Sequence, residues 1–109
     1  VSTYQFVTGW PEDGQYSIYH TTRLGNNFHT SLDHTPGDVN GKCLIVNADF
    51  TPGQFYRRPV DGLCVNTTFE FTSWVMNVYN PSQNVCPNMG IPVNVKFQIW
   101  NAICLISQN

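Results

Sequence analysis

Charge is scarce in this chain. Of 109 residues only 11% are Asp, Glu, Lys or Arg, and five Lys and Arg against seven Asp and Glu leave a net charge of −2. A surface that tracks phosphates needs many clustered cations, so nucleic acid is not an expected partner, and no run of like charge marks a disordered tail or a membrane-surface patch. Long apolar runs are missing as well. The longest candidate, Ala102 to Ile106, falls far short of the ~20 residues of a membrane span, so no membrane span is expected. No segment holds an apolar period of about 3.6 residues, which makes the chain almost helix-free by pattern. C-x-x-C, the nucleophile elbow and H-E-x-x-H are all absent, removing the common zinc and hydrolase signatures. Glutamate is limited to Glu12 and Glu70, and nothing among these and the aspartates selects the facing carboxylate pair of a glycosidase. His34 beside Asp33, with Ser31 near, does not form a triad, because adjacent loop residues do not face one another in series. His20, His29 and His34 are irregularly spaced. No catalytic residues are assigned, and the chain is read as a non-enzyme.

What remains is aromatic and turn-rich. Phe, Trp and Tyr reach 14%, and Gly and Pro number 8 and 7. Low charge with many Asn, Thr, Ser, Gly and Pro is typical of extracellular β-proteins. At this length the chain is one domain, 1–109, able to bury roughly 65% of its unfolded surface. It opens on Val1 with no targeting segment, so a processed, secreted or cell-surface form is expected. Cys43, Cys64, Cys86 and Cys104 are an even set, which in a secreted chain predicts two disulfides with three connectivities open.

Turn signals divide the chain into strand candidates. Tyr4 to Thr8 ends in Gly9-Trp10-Pro11-Glu12-Asp13-Gly14, a run of turn chemistry. Gln15 to Thr21 follows, then the irregular Arg23 to Asn40. Lys42 to Ala48 reads as a buried strand, with Leu44 and Val46 on one side and Ile45 on the other. Gln54 to Val60 comes after Thr51-Pro52-Gly53, and Pro59 marks an edge or an end because proline has no N–H for a ladder. Leu63 to Tyr79 is the strongest signal. Phe69, Phe71 and Val75 alternate with Glu70, Thr72, Trp74, Met76 and Val78, which predicts a central strand with an apolar core face and a mixed second face. A loop of roughly a dozen residues to Pro92 is longer than most connections. Val93, Val95, Phe97 and Ile99 then alternate with Asn94, Lys96, Gln98 and Trp100 in a half-exposed strand. Short strands at even spacing predict a β-sandwich.

Four segments carry a resemblance: Asp33 to Gly41 (DHTPGDVNG), Leu44 to Cys64 (LIVNADFTPGQFYRRPVDGLC), Asn66 to Pro81 (NTTFEFTSWVMNVYNP) and Val93 to Trp100 (VNVKFQIW). Together they resemble a jelly-roll module of secreted and surface proteins of gliding and polymer-degrading Bacteroidetes. That module is similar in layout to the carbohydrate-binding modules of the galactose-binding-like superfamily. The resemblance implies an all-β fold, an antiparallel β-sandwich of jelly-roll type, acting in binding or adhesion toward a polysaccharide or cell-surface glycan. It also implies a Cys64–Cys86 bridge that would staple the long loop for roughly 3 kcal/mol. Cys43 and Cys104 would then pair across the sandwich or stay as buried thiols. A jelly roll needs about eight strands, and here the sequence stops after Ile103 to Ile106, a run too apolar for a free tail. Either the chain is a fragment, or another chain completes the sheet by strand addition. The second case gives the alternative function, a homo-oligomeric subunit of a surface filament or matrix.

Aromatic rings on a sheet face bind sugars by packing on the apolar C–H face of a pyranose while polar groups at the rim take its hydroxyls. Trp74, Trp100, Tyr56 and Tyr79 are the candidate rings, with Arg58 and Glu70 as polar partners. For Trp74 the core and the binding face both stand as readings; Trp10 reads as a lid over one end of the core. Asp33, Asp38, Asn40 and Asp49 crowd the loops around the Leu44 strand, the oxygen-rich setting of a structural calcium, although the same residues are ordinary turn formers. No other cofactor is expected. Asn66-Thr67-Thr68 is an N-x-[ST] sequon, a turn with a capping Asn in a bacterial setting and a surface glycan site in a glycosylating host.

Overall fold

The computed structural model describes residues 2–22, 28–80, 82, 93–100 and 105–108. Regular structure among them is entirely β, with no α-helix. The strands are β1 (Ser2–Thr3), β2 (Gln5–Phe6), β3 (Gln15–Tyr19), β4 (Cys43–Asn47), β5 (Gly53–Gln54), β6 (Gln98–Trp100) and β7 (Leu105–Gln108). They form a three-stranded sheet in the order β2-β3-β4 and two two-stranded pairs, β1-β5 and β6-β7.

The β3–β4 pair is the centre of the fold. Gln15 pairs with Asn47, Ser17 with Ile45 and Tyr19 with Cys43 in an antiparallel ladder. Alternation divides it into two faces. Ser17 and Ile45, directly opposite each other, are 1% and 3% exposed, and apart from Pro11, Ile45 is the only buried apolar side chain among the described residues. Pro11 is fully buried, and its carbonyl accepts a hydrogen bond from Asn47 Nδ2 at 3.0 Å, which ties the turn after β2 to β4. The opposite face, Tyr16 with Val46 and Ile18 with Leu44, is the more apolar one, yet Ile18 and Leu44 are exposed, as is Phe6 on β2. One side of the sheet is therefore covered at its centre, at Ser17 and Ile45, though Tyr19 at its end is exposed, while Phe6, Ile18 and Leu44 leave the other side open.

The expected strands over Gln15 to Thr21 and Lys42 to Ala48 are present as β3 and β4, shortened at their ends. Tyr4 to Thr8 is not one strand. Residues before Tyr4 run beside β5 in parallel, Ser2 opposite Gly53, and residues after it run beside β3 in parallel, Gln5 opposite Gln15. Backbone bonds from Tyr4 N–H to Gln54 (3.1 Å) and from Val7 N–H to Tyr16 (2.9 Å) mark the two sides of this crossing. The three-stranded sheet is mixed and β1–β5 is parallel, while β3–β4 and β6–β7 are antiparallel, so the all-antiparallel expectation holds only for the latter pairs. The return from β2 to β3 ends at Gly14, whose φ of 77° lies in the left-handed region that side-chain-bearing residues avoid.

The Leu63 to Tyr79 strand is the main correction. Residues 63 to 78 are in no ladder, and among the described residues the segment's backbone pairing is at its end, through the Phe28–Tyr79 bridge and the His29 N–H bond to the Val78 carbonyl at 2.6 Å. Phe69, Phe71 and Val75, expected as core, are 43%, 54% and 62% exposed. Alternation specifies which side chains share a face, whereas a strand exists only where a second backbone takes its N–H and C=O groups, and no described residue lies alongside 63 to 78 in that way. The same reason trims two other segments. Of Gln54 to Val60 only Gln54 is in a ladder, and of Val93 to Trp100 only the last three residues meet β7, with a register shift at Ile99 and Trp100. The radius of gyration is 16.1 Å, against about 13 Å for a compact domain of this length. Among the described residues no second layer covers the open face of the three-stranded sheet, where Phe6, Ile18 and Leu44 are exposed.

Candidate functional site

Because Tyr4 sits where the amino-terminal segment passes from β5 to β3, its ring is placed between side chains that are far apart in sequence. Tyr4, Tyr16, Gln54, Phe55, Tyr56 and Arg57 line a hollow of about 160 Å³. The Tyr4 and Phe55 rings meet at 6.1 Å between centroids and 51°, a tilted pair, and Phe6 leans on Tyr16 at 5.6 Å. Such pairs hold ring orientation as well as burying area. The Tyr4 hydroxyl accepts the Asp49 backbone N–H at 2.9 Å, which anchors the far end of the ring. Tyr56 is 65% exposed and presents an open ring. Arg57 enters no ion pair or hydrogen bond among the described residues. The hollow is open to the surface and smaller than the roughly 300–1,000 Å³ of enclosed ligand pockets.

The sequence candidates divide around this hollow. Tyr56 lines it. Arg58 does not, and its neighbour Arg57 does. Trp74, Trp100, Tyr79 and Glu70 lie elsewhere. Trp74 is 78% exposed and stacks on His34 at 3.8 Å and 14°, so its indole is a surface feature and not core. Trp100 is 57% exposed on β6, Glu70 is exposed, and Tyr79 is half-buried in its bridge to Phe28. Trp10, expected as a lid, packs on Phe28 at 4.5 Å between ring centroids and is half-buried. Tyr4, Tyr16, Gln54, Phe55 and Arg57 were not singled out by pattern. The run Gln54-Phe55-Tyr56-Arg57-Arg58 carried a local signal, an aromatic pair followed by a guanidinium pair, but Tyr4 and Tyr16 join it only through parallel pairing.

The carboxylates of the oxygen-rich loops make local bonds. Asp38 Oδ1 accepts the Asn40 N–H at 3.0 Å, Asp33 Oδ2 accepts the Thr35 N–H at 3.3 Å, and Asp49 Oδ1 accepts the Phe50 N–H at 2.7 Å. These are local turn bonds of the kind short polar side chains make to their own backbone. Among the described residues no three His, Cys, Asp or Glu side chains converge on a position that could hold a metal ion. The Asp33 carboxylate instead lies against the α-carbon of Gly41, where a Cβ would collide with it.

Cys43 and Cys64 are free thiols, half-buried and exposed respectively; their expected partners Cys104 and Cys86 lie outside the described residues. Cys43 donates to the Tyr19 carbonyl at 3.2 Å. Burial pushes its thiol above the ordinary value, a hydrogen bond from its own backbone offsets part of the rise, and the nearby Asp33 carboxylate adds to it. Asn66 is exposed with φ 56°, so the sequon sits on a surface turn. No described helix is long and apolar enough to cross a membrane. The chain matches no family model, no curated protein and no solved structure.

Proposed function

We propose that this chain is a non-catalytic extracellular binding or adhesion module that recognises carbohydrate, with one sugar ring seated in the hollow bounded by Tyr4, Tyr16 and Tyr56. The observation that carries this reading is the joining of three tyrosines with Gln54 and Arg57 around one small open hollow. Apolar ring faces meet the C–H face of a pyranose, while amide, guanidinium and phenol groups take its hydroxyls; neither set alone gives both grip and orientation. Secretion or cell-surface display fits the low charge and the turn-rich composition. Isothermal titration against soluble polysaccharides tests it: Tyr56→Ala should weaken binding about tenfold, and Trp74→Ala should leave it unchanged. Loss of binding in Trp74→Ala alone would move the site to the Trp74–His34 stack, and no polysaccharide binding at all would remove the reading.

A second reading is favoured by the open face of the β2-β3-β4 sheet, where Phe6, Ile18 and Leu44 are exposed. In it the jelly-roll sandwich is completed by a layer from another protomer, and the chain is a subunit of an extracellular filament or matrix assembled by strand complementation. An unpaired edge and an uncovered apolar face are what strand addition uses. Solution mass tests it, since a stable monomer with a cooperative melt is incompatible with obligatory strand exchange.

A further inference from the structure

We infer that the sugar ring taken by the Tyr4–Tyr16–Tyr56 hollow carries a carboxylate, so that the module is specific for uronic-acid polymers; this rests on the carbohydrate reading above. The five cations of the chain are few, and one of them, Arg57, is among the lining residues of this hollow, next in sequence to Arg58, which is not. No carboxylate lines the hollow. Asp49 meets the Tyr4 hydroxyl through its backbone N–H, not its carboxylate, and its Oδ1 is taken by the Phe50 N–H at 2.7 Å. The Arg57 guanidinium thus has no anion in the described structure, in a molecule whose net charge is −2. A guanidinium presents donors in a planar fork that matches a carboxylate in two parallel bonds, a fit that an isolated hydroxyl does not provide. An arginine left unpaired beside aromatic rings in an acidic protein therefore selects by charge what the tyrosines hold by shape.

The test pairs oligomers of galacturonate, mannuronate and glucuronate with their methyl esters, which keep the ring and lose the charge. With the full chain at low salt, at least one acid oligomer should bind about fivefold tighter than its ester, the size of effect an exposed ion pair supplies. The preference should shrink as salt is raised. Arg57→Gln should bring acid and ester to equal affinity, Arg57→Lys should restore part of the difference, and Arg58→Gln should leave most of it. Arg57 is exposed, so an unchanged melting temperature confirms that each variant is folded. Equal binding of acid and ester by the native chain, or a preference that survives Arg57→Gln, overturns the inference while leaving neutral-sugar binding in place. Absence of binding to every saccharide, charged or neutral, overturns this inference together with the function on which it rests.

Discussion

Ile45→Ala and Leu44→Ala, one residue apart on β4, probe opposite faces of the same strand. Ile45 is 3% exposed and Leu44 is 39% exposed. Removing three carbons from Ile45 at ~0.8 kcal/mol each gives about 2.4 kcal/mol of transfer energy, and the cavity left opposite Ser17 raises the cost to about 3 kcal/mol. Leu44 lies on the open face, where truncation empties no enclosed space, and its cost should be about 1 kcal/mol. The difference of about 2 kcal/mol is more than tenfold in the folding equilibrium constant. With a urea slope of ~1–2 kcal/mol/M, it separates the two midpoints by about 1–2 M. Urea unfolding followed by tyrosine and tryptophan fluorescence reads it directly, and equal slopes would show that stability alone has changed. If Leu44→Ala costs as much as Ile45→Ala, the Tyr16–Ile18–Leu44–Val46 face is covered in the isolated chain, and the one-sided sheet is wrong.

Alkylation with iodoacetamide followed by peptide mass spectrometry should label exposed Cys64 first and half-buried Cys43 later, because only thiolate reacts and burial favours the protonated form. The sign for stability follows from the raised value. The Cys43 contribution is fully present below the ordinary thiol value of 9.0 and is lost as pH rises through the higher folded value, so alkaline destabilisation should be weaker in Cys43→Ala. Native protein that takes no label at Cys64 until reduced would show a bridge there in place of the free thiol. Trp74→Phe should change stability by no more than about 0.5 kcal/mol, since the indole is 78% exposed; a loss of about 2 kcal/mol or more in thermal unfolding would return Trp74 to the core.

The legible part of this fold is local. Apolar alternation over Gln15 to Thr21 and Lys42 to Ala48 marked the two strands that pair, because Ile45 and Ser17 face one way and Leu44 and Ile18 the other, as the pleat requires. The same rule misplaced Phe69, Phe71 and Val75, whose alternation is as regular but whose backbone finds no partner among the described residues. For the site, Tyr56 was visible as an aromatic next to a guanidinium pair, while Tyr4 and Tyr16 had no signal that linked them to it. Asp33, Asp38 and Asp49 each accept a nearby backbone N–H, a bond that one loop specifies alone, whereas a shared ligand set depends on how separate loops are placed.

The amino-acid sequence by itself determined that this chain is built of strands and turns, that it lacks helical and membrane-spanning periodicity, and which residues of each strand share a face. Those are consequences of single-chain geometry, the two-residue repeat of a pleat and the φ preferences of Gly and Pro. Only the tertiary structure decided which strands pair, in which direction, and which face is covered, because a ladder belongs to two backbones at once. The crossing of residues 2 to 7 from β5 to β3 is the decisive case. It brings Tyr4 beside Phe55 and Tyr16, and so forms a hollow from side chains that no spacing along the chain connects.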